Sequence, residues 1–499
     1  MDYQSIGTIV VTPDPARSVS DTTAELQRAL DAASGRYGTV FVAPGEYVIT
    51  TLSLRSNVTL HLSGGAVLRA CDDIEMYPEY SAWPGQDPAR RRYHVMYADG
   101  CENLTIEGDG VVDGSGPAFW DPPLRTMIKL GHTRESLGVR DHLEDDSPFW
   151  REKSRRPSPM IEFRHCRNLI VRDVTFRNSP GWTVHPYCCD DVTIRGITID
   201  DDLYGPNTDG IDVNGCRDVV ISDCSITCGD DAIILKSTVD ARSCERVMVS
   251  NCVLATNCAA IGLGAEVTHA IRDVVVTNCV VKQALRIVQL EMWEAGCIEN
   301  IVISNVAGAN LTDIPLERPI YLDIQQHRRS DPALGTMRNI TISGVTCRTR
   351  GRIVMTAQDG ATIENVTLRD ITLVFPDIED PEISVTSSRS QQMSNYSPES
   401  RSVRAAIVAD NVDGLVLENV VTRWPDSADR SDAQTRFNGD LRKQQSVVPT
   451  LAMHALFARR SRNVLLNSPG LTANENAERI KIIDSSVVEY GWAEGDAHD

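Results

Sequence analysis

Basic charge is in short supply in this chain: 49 Lys and Arg stand against 69 Asp and Glu in 499 residues, a formal net charge of -20. A nucleic-acid binder needs a basic face to neutralise phosphates, so that class is excluded as a partner. An anionic polymer would be repelled at long range unless a local basic patch steered it. Long hydrophobic runs are also missing. No stretch reaches the ~18 apolar residues of a membrane span, and Met1–Pro13 lacks a basic segment followed by an apolar one. The expectation is therefore a cytoplasmic enzyme with no membrane partner. Helical periodicity is absent from the middle of the chain.

What the middle contains is a repeat. Asn or Asp is followed by a β-branched or aliphatic run, a polar pair and another apolar stretch, as in Asn168–Val174, Asp191–Ile197 and Asp218–Cys224. The pattern returns at Arg246–Cys252, Asp273–Cys279, Asn300–Val306, Asn339–Val345 and Asn365–Ile371. Most successive starts differ by roughly 23–28 residues, the period of a solenoid with one coil per repeat. The segments alternate in polarity, are rich in Val, Ile and Thr, and are bounded by Gly, Asn and Asp, so they are strands. The fold class predicted is all-β: a single-stranded right-handed parallel β-helix with an N-terminal capping helix.

The inward position of the repeat runs Val174, Ile197, Cys224, Cys252, Cys279, Val306, Val345, Ile371. Cysteine alternates there with aliphatic residues, so the 14 cysteines are read as small core hydrophobes rather than a disulfide set. Asn or Asp at each strand start would stack into a turn ladder. Near the start, Asp21 is a candidate N-cap followed by Leu26, Ala29, Leu30 and Ala33 at helical spacing. A cap over 14–40 would hide the open edge of the first coil. Polar stretches at 121–158 and 376–401 read as loop insertions in one β-helix domain spanning 1–499. The basic runs Arg90–Arg92 and Arg151–Arg156 read as solvated loops.

Two motifs occupy consecutive coils: Asn207-Thr-Asp-Gly-Ile-Asp212 and Gly229-Asp-Asp-Ala-Ile-Ile-Leu-Lys236. Nearly one repeat separates Asp209 from Asp230, so the two should stack on one face. Neighbouring strands lie ~4.8 Å apart, which gathers Asp209, Asp230 and Asp231 into one patch. Like charges that close cannot all ionise, and at least one pKa should rise. A protonated acid beside ionised carboxylates is what glycosidic cleavage requires. Each motif alone suits a tight turn, and clustered Asp also suits calcium. Burying like charges has no structural benefit, which favours catalysis.

With these motifs on the page, the chain resembles glycoside hydrolase family 28, the polygalacturonase family. The resemblance also covers Ile106–Gly114 with Phe119-Trp120, and Asn178-Ser-Pro-Gly-Trp-Thr-Val-His-Pro186, and spans roughly Asp21 to His327. It implies that Asp230 is the general acid, that Asp209 and Asp231 activate water, and that the reaction inverts configuration without a metal or other cofactor. Two positions depart from the family. Its usual Gly-His-Gly is replaced by Thr256-Asn257-Cys258, and its Arg-Ile-Lys appears as Arg286-Ile-Val288. The residues carried over for substrate binding are Asn207, Asn257, Arg286, His185 and His327, with His185 also able to orient a loop. Glu266 and Glu291 are read as a solvated face.

The expectation is an inverting glycosidase acting on a pectin-related or other oligosaccharide or polysaccharide. The 121–158 insertion would close one end of a groove and favour exo action. A β-helix lyase or uronate epimerase, and a non-catalytic carbohydrate-binding solenoid, are the competing readings. Neither sugar, linkage nor oligomeric state is legible.

Overall fold

A computed structural model describes residues 7–80, 92–121, 151–152, 155–312, 317–326, 333–378, 397–425, 434–438, 440–447 and 452–490. The chain divides into two compact units, Met1–Gly262 with Thr268–Val274, and Leu263–Val267 with Val275–Asp499. Both are stacks of coils joined by parallel pairing.

In the first unit each coil supplies strands to three parallel stacks. One stack runs Thr8–Val11, Thr39–Val42, Val58–Leu62, Glu102–Glu107, Arg167–Arg172, Asp190–Arg195, Arg217–Ser222 and Cys244–Ser250. A second carries the short strands Gly45–Ile49, Ala66–Ala70, Val111–Asp113, Thr175–Arg177, Thr198–Asp200, Ser225–Cys228 and Val253–Thr256. The third runs Leu52–Ser53, Met96–Asp99, Ile161–Arg164, Val184–Tyr187, Ile211–Asn214 and Ile233–Ser237. Strands of the first stack alternate between core and surface, as in Val58–Leu62, whose Val58, Leu60 and Leu62 point inward. Three strands of the third stack, Val184–Tyr187, Ile211–Asn214 and Ile233–Ser237, are buried at every position. They are covered on both faces, by the core within and by side chains that assemble a polar site without.

The turns explain the Asn and Asp of the repeat. Asn103, Asn168, Asp191 and Asp218 all have φ between 52° and 58°, the left-handed region that Asn and Asp tolerate far better than β-branched residues. Their side chains also join the rungs: Asn168 Nδ2 donates to Asn103 Oδ1 at 2.8 Å, and Asn103 Nδ2 to Asn57 Oδ1 at 2.8 Å. The inward positions Val174, Ile197, Cys224 and Cys252 are at most 2% exposed. All 14 cysteines are free thiols.

The helix spans Val19–Ser34 and buries Leu26, Ala29, Leu30 and Ala33 as their spacing requires. Its N-cap is Ser18, not Asp21: the Asp21 amide donates to Ser18 Oγ at 3.1 Å, and the Ser18 hydroxyl donates back to Asp21 Oδ2 at 2.7 Å. Asp21 thus closes a reciprocal box one turn inside the observed start. The helix satisfies the open edge through Gln27, which donates to the Ser53 carbonyl and accepts from the Ser53 amide, both at 2.9 Å.

In the second unit the strands lengthen. Cys297–Asn310, Thr336–Thr349 and Ile363–Val374 pair in register, and Cys279, Val306, Val345 and Ile371 are buried inward positions of this unit. A second stack runs Arg286–Met292, Arg318–Ile324, Ile353–Ala357, Ala405–Asp410, His454–Arg459 and Ile480–Ile483. The insertions expected at 121–158 and 376–401 lie largely outside the described residues, although the second ends in the short helix Pro398–Ser402. No described helix is long and apolar enough to cross a membrane.

The turn ladder makes a direct prediction. Asn168→Val should destabilise the protein by about 1–2 kcal/mol more than Asn168→Gly, because only the first must hold a β-branched residue in the left-handed region. Urea unfolding midpoints check this, and equal midpoints for the two variants would refute it.

Candidate active site

The offset that pairs Ile211 with Ile233 carries back along the strands, and the Gly210 amide donates to the Asp231 carbonyl at 2.8 Å. Asp209 is therefore opposite Asp231. The sequence expectation paired Asp209 with Asp230. The coil here is one residue longer than that expectation allowed, so Asp230 falls beside Thr208 instead. Asn207 Nδ2 reaches Asp230 Oδ2 at 3.1 Å, and the Gly229 amide donates to Thr208 Oγ1 at 3.0 Å. Glycine is needed at 229, because a Cβ there would sit 2.4 Å from the Gly205 carbonyl oxygen. The next coil closes the patch from the other side. The Thr256 hydroxyl donates to the Asp230 carbonyl, and the Ala259 amide donates to Asp231 Oδ1 at 3.1 Å.

Three carboxyls thus share two adjacent rungs. Asp209 is 3% exposed; burial pushes its pKa well above the usual range, and the charges of Asp212 and Asp230 add to the shift. Asp231 is pushed up to about 6 by burial and then by Asp230, while Lys236 opposes. Asp209 and Asp231 face each other on neighbouring rungs, so the proton held by Asp209 depends on the charge of Asp231.

Behind the trio lies a second polar layer. Lys236 Nζ is 3.1 Å from Asp212 Oδ1, with both side chains buried, and the ammonium sits 4.0 Å from the Trp182 ring centroid. Trp182 meets His185 edge to face at 5.2 Å. His185 is fully buried and its pKa is pushed down to about 3, chiefly by burial, so its ring is neutral. In register with His185 is Glu162, also fully buried, which takes Arg92 at 2.6 Å, His94 at 2.9 Å and Arg164 at 3.3 Å. Burial alone would raise the Glu162 carboxyl; the facing His94 and Arg92 overcome it and hold the group as a carboxylate.

The loop carrying Asn207 is braced on several sides. Asn257, 1% exposed, donates to the Leu203 carbonyl at 2.6 Å. Asp201 accepts from the Ser179 amide at 2.6 Å and the Thr183 hydroxyl at 2.9 Å, and the Thr183 amide in turn donates to the Asp209 carbonyl at 2.9 Å. Arg156 donates to the carbonyls of Pro180, at 2.8 Å, and Pro206. Asn257 and His185 therefore occupy positioning places, without the surface that a sugar contact needs. Asn207 and the three aspartates come together. Arg286 belongs to the second unit, where its Nη1 donates to Gln289 Oε1 at 2.6 Å and its guanidinium lies 5.0 Å from the Tyr321 ring centroid. His327 lies outside the described residues.

Several functional side chains escaped the sequence reading. Asp212 and Lys236 end the two motifs that were singled out, and their opposite charges on neighbouring coils were the available signal. Arg92 and Arg156, expected in solvated loops, are buried against Glu162 and the proline carbonyls. Glu291, expected on a solvated face, is 5% exposed and accepts from Trp293 Nε1 at 2.9 Å. No local pattern marks these three.

Asp230, Asp231 and Cys258 offer ligand atoms within 4.8 Å of one another. A divalent ion placed there would take up the two carboxyls that acid–base chemistry needs.

Comparison with known proteins decides the family. Residues 45–391 match the profile of the glycosyl hydrolases family 28. The chain belongs to this family. Among curated relatives, a probable polygalacturonase of Vitis vinifera is 30% identical over 248 residues, 47% of this chain and 45% of the relative, so the match spans less than half of that protein. Among solved structures, the family 28 exopolygalacturonase of Yersinia enterocolitica aligns with a TM-score of 0.62 and 16% identity over 84% of this chain and 75% of that one. The exopolygalacturonase of Thermotoga maritima gives 0.59 and 20% over 85% and 91%. These likenesses place the family 28 chain in the right-handed parallel β-helix fold.

Asp201 supplies a test of the bracing. Burial pushes its pKa from 3.8 up to about 7, so the folded chain holds a proton that the unfolded chain has released. Stability from this group is complete below about pH 4 and is lost as pH rises to about 7. Asp201→Asn should flatten that part of the stability–pH curve. Unfolding midpoints measured across the window check it; a slope unchanged from wild type would refute it.

Proposed function

We propose that this family 28 chain is a glycosidase that cleaves a pectin-related oligosaccharide or polysaccharide, acts from a chain end, and inverts configuration. The observation that carries the reading is the set of three carboxyls on two adjacent rungs, two of them with raised pKa. Such a set holds an acid and a base at the same pH. In this reading Asp230 protonates the glycosidic oxygen as the bond to the anomeric carbon breaks. Asp209 and Asp231 take the proton of the water that attacks the opposite face, and Lys236 limits how far their pKa values rise. Family membership supports the polysaccharide substrate. Exo action draws support from the two exopolygalacturonases of like fold and from Arg156, which anchors one end of the 121–158 insertion beside the Asn207 loop. Inversion is taken from the family resemblance. The Asp230 and Asp231 ligand oxygens lie within 4.8 Å of each other, less than the ~6.5–9.5 Å usual between the two carboxyls of inverting enzymes, so stereochemistry is a discriminating measurement.

Oligogalacturonides and other pectic oligosaccharides are the substrates to test. Proton NMR of the first product should show the anomer opposite to the bond cleaved; a retained anomer overturns inversion. Asp230→Asn should lower kcat by about 10²–10⁴-fold on the natural linkage and far less on an aryl glycoside, whose leaving group needs no proton. The same selective rescue in Asp231→Asn instead would move the acid role there.

The pH profile follows from the raised group. Because Asp231 holds its proton up to about pH 6 and must be ionised to take the proton of water, kcat/KM should rise as pH climbs through that value. A profile with no rise between about pH 4 and pH 8 would remove Asp231 from the role of base.

A further inference from the structure

The turn after Thr256 carries a thiol that the hydrolytic chemistry does not use. The Ala232 amide donates to the Ala259 carbonyl at 2.8 Å, which sets Cys258 and Ala259 over Asp230 and Asp231 on the preceding rung. Thr256 fixes the turn, because its hydroxyl donates to the Asp230 carbonyl and accepts from the Cys258 amide at 3.0 Å. Cys258 is partly exposed, as are Cys188 and Cys297; the other thiols of the chain are buried.

Cys258 Sγ, an Asp230 carboxyl oxygen and an Asp231 carboxyl oxygen all lie within 4.8 Å of one another. Among the described residues no other three His, Cys, Asp or Glu side chains converge so closely. The Cys258 thiol donates to the Asp231 carboxyl, whose Oδ1 also accepts from the Ala259 amide at 3.1 Å. Asp230 is held through Oδ2 by Asn207 at 3.1 Å. Its Oδ1 has no hydrogen-bond partner among the described residues.

A second observation comes from the rung on the other side of Asp231. Asp209 stands opposite Asp231 and is 3% exposed, and no donor among the described residues reaches its Oδ1. An enclosed polar atom left so calls for a ligand, an ion or a functional reason. The one buried cation nearby, Lys236, is paired with Asp212 at 3.1 Å. An incoming cation therefore meets a site whose surplus charge is negative.

The donor set selects the ion. Calcium and magnesium take six or more oxygens, whereas a thiolate with two carboxylates suits zinc and softer ions of the same charge. Bonds of about 2.0–2.3 Å hold the ligand atoms of a tetrahedral zinc roughly 3.3–3.8 Å apart, so these three donors close on it by small side-chain rotations. We propose that Asp230, Asp231 and Cys258 bind one soft divalent cation, with water in the fourth position. The thiol gives up its proton to solvent as the bond to sulfur forms, and the metal takes that proton's place between sulfur and carboxylate. The bound ion occupies two reacting carboxyls, so on the hydrolase reading it is an inhibitor. That consequence rests on the reading; the binding does not.

The experiment titrates the full chain, with its thiols reduced, with cadmium(II) and follows the sulfur-to-cadmium charge-transfer absorbance in the ultraviolet. One equivalent should bind saturably in the micromolar range, and calcium in large excess should not displace it. Cys258→Ser should abolish the band, while Cys188→Ser and Cys297→Ser should leave it unchanged. Asp230→Asn is the companion variant and should weaken cadmium binding at least tenfold if Cys258→Ser fails to fold. The proposal is overturned if no band appears, if the band persists in folded Cys258→Ser, or if it is lost equally in Cys188→Ser or Cys297→Ser. Hydrolysis of a pectic oligosaccharide is the separate readout, each variant being compared with its own metal-free rate. Cadmium should inhibit the wild type over the range in which the band grows, and Cys258→Ser should need at least tenfold more. Full occupancy without inhibition, or no hydrolysis of any pectic substrate, would overturn the hydrolase reading and leave the metal site to the absorbance.

Discussion

Parallel pairing at a constant rung spacing is the constraint on which the rest of this structure depends. It places each coil's residue directly over the equivalent residue of the coil before, and the left-handed Asn and Asp turns keep that register from slipping. A one-residue slip would turn every core side chain outward. Like therefore stacks on like: valines, isoleucines and thiols in the core, carboxamides along the turns, and carboxyls where two motifs fall on neighbouring rungs. The first two stacks are favourable. The third is an electrostatic cost that the fold imposes by geometry and that acid–base chemistry can use.

How the cost is contained is visible in the layers behind the carboxyls. Lys236 supplies a buried cation that moderates Asp209 and Asp231, and Asp212 keeps that cation from being buried alone. Further from the trio, Glu162 gathers Arg92, His94 and Arg164, and His185 stays neutral between the two charged groups. Buried ion pairs contribute little net stability once desolvation is counted. What they provide here is a fixed arrangement: each charged group has one place to be, and the clustered carboxyls keep their geometry.

The coil beside the carboxyls is tied to them even where its residues depart from the family pattern. Thr256-Asn257-Cys258 stands where the family usually has Gly-His-Gly, yet these residues still tie the site together. Thr256 holds the Asp230 backbone and Asn257 holds the Leu203 carbonyl. The bracing runs through the backbone path of the coil.

The repeat, the inward column and the two aspartate motifs were all legible in the sequence, because a solenoid writes its fold as a local period and each coil needs only its neighbours. The capping helix was legible by its apolar spacing, though its start was misplaced to Asp21 because Ser18 and Asp21 form one reciprocal cap and sequence shows only its stronger candidate. Tertiary structure alone decided the rest. Which aspartate faces Asp209 depends on the length of one turn, a single residue that periodicity over many coils cannot resolve. That Arg92 and Arg156 are buried depends on where their loops fold back, which no repeat governs. The partners of Lys236 and Glu162, and the thiol beside Asp230 and Asp231, come from side chains meeting across rungs. Local pattern determines which residues share a face; only the folded coil decides which of them touch, and therefore which are charged.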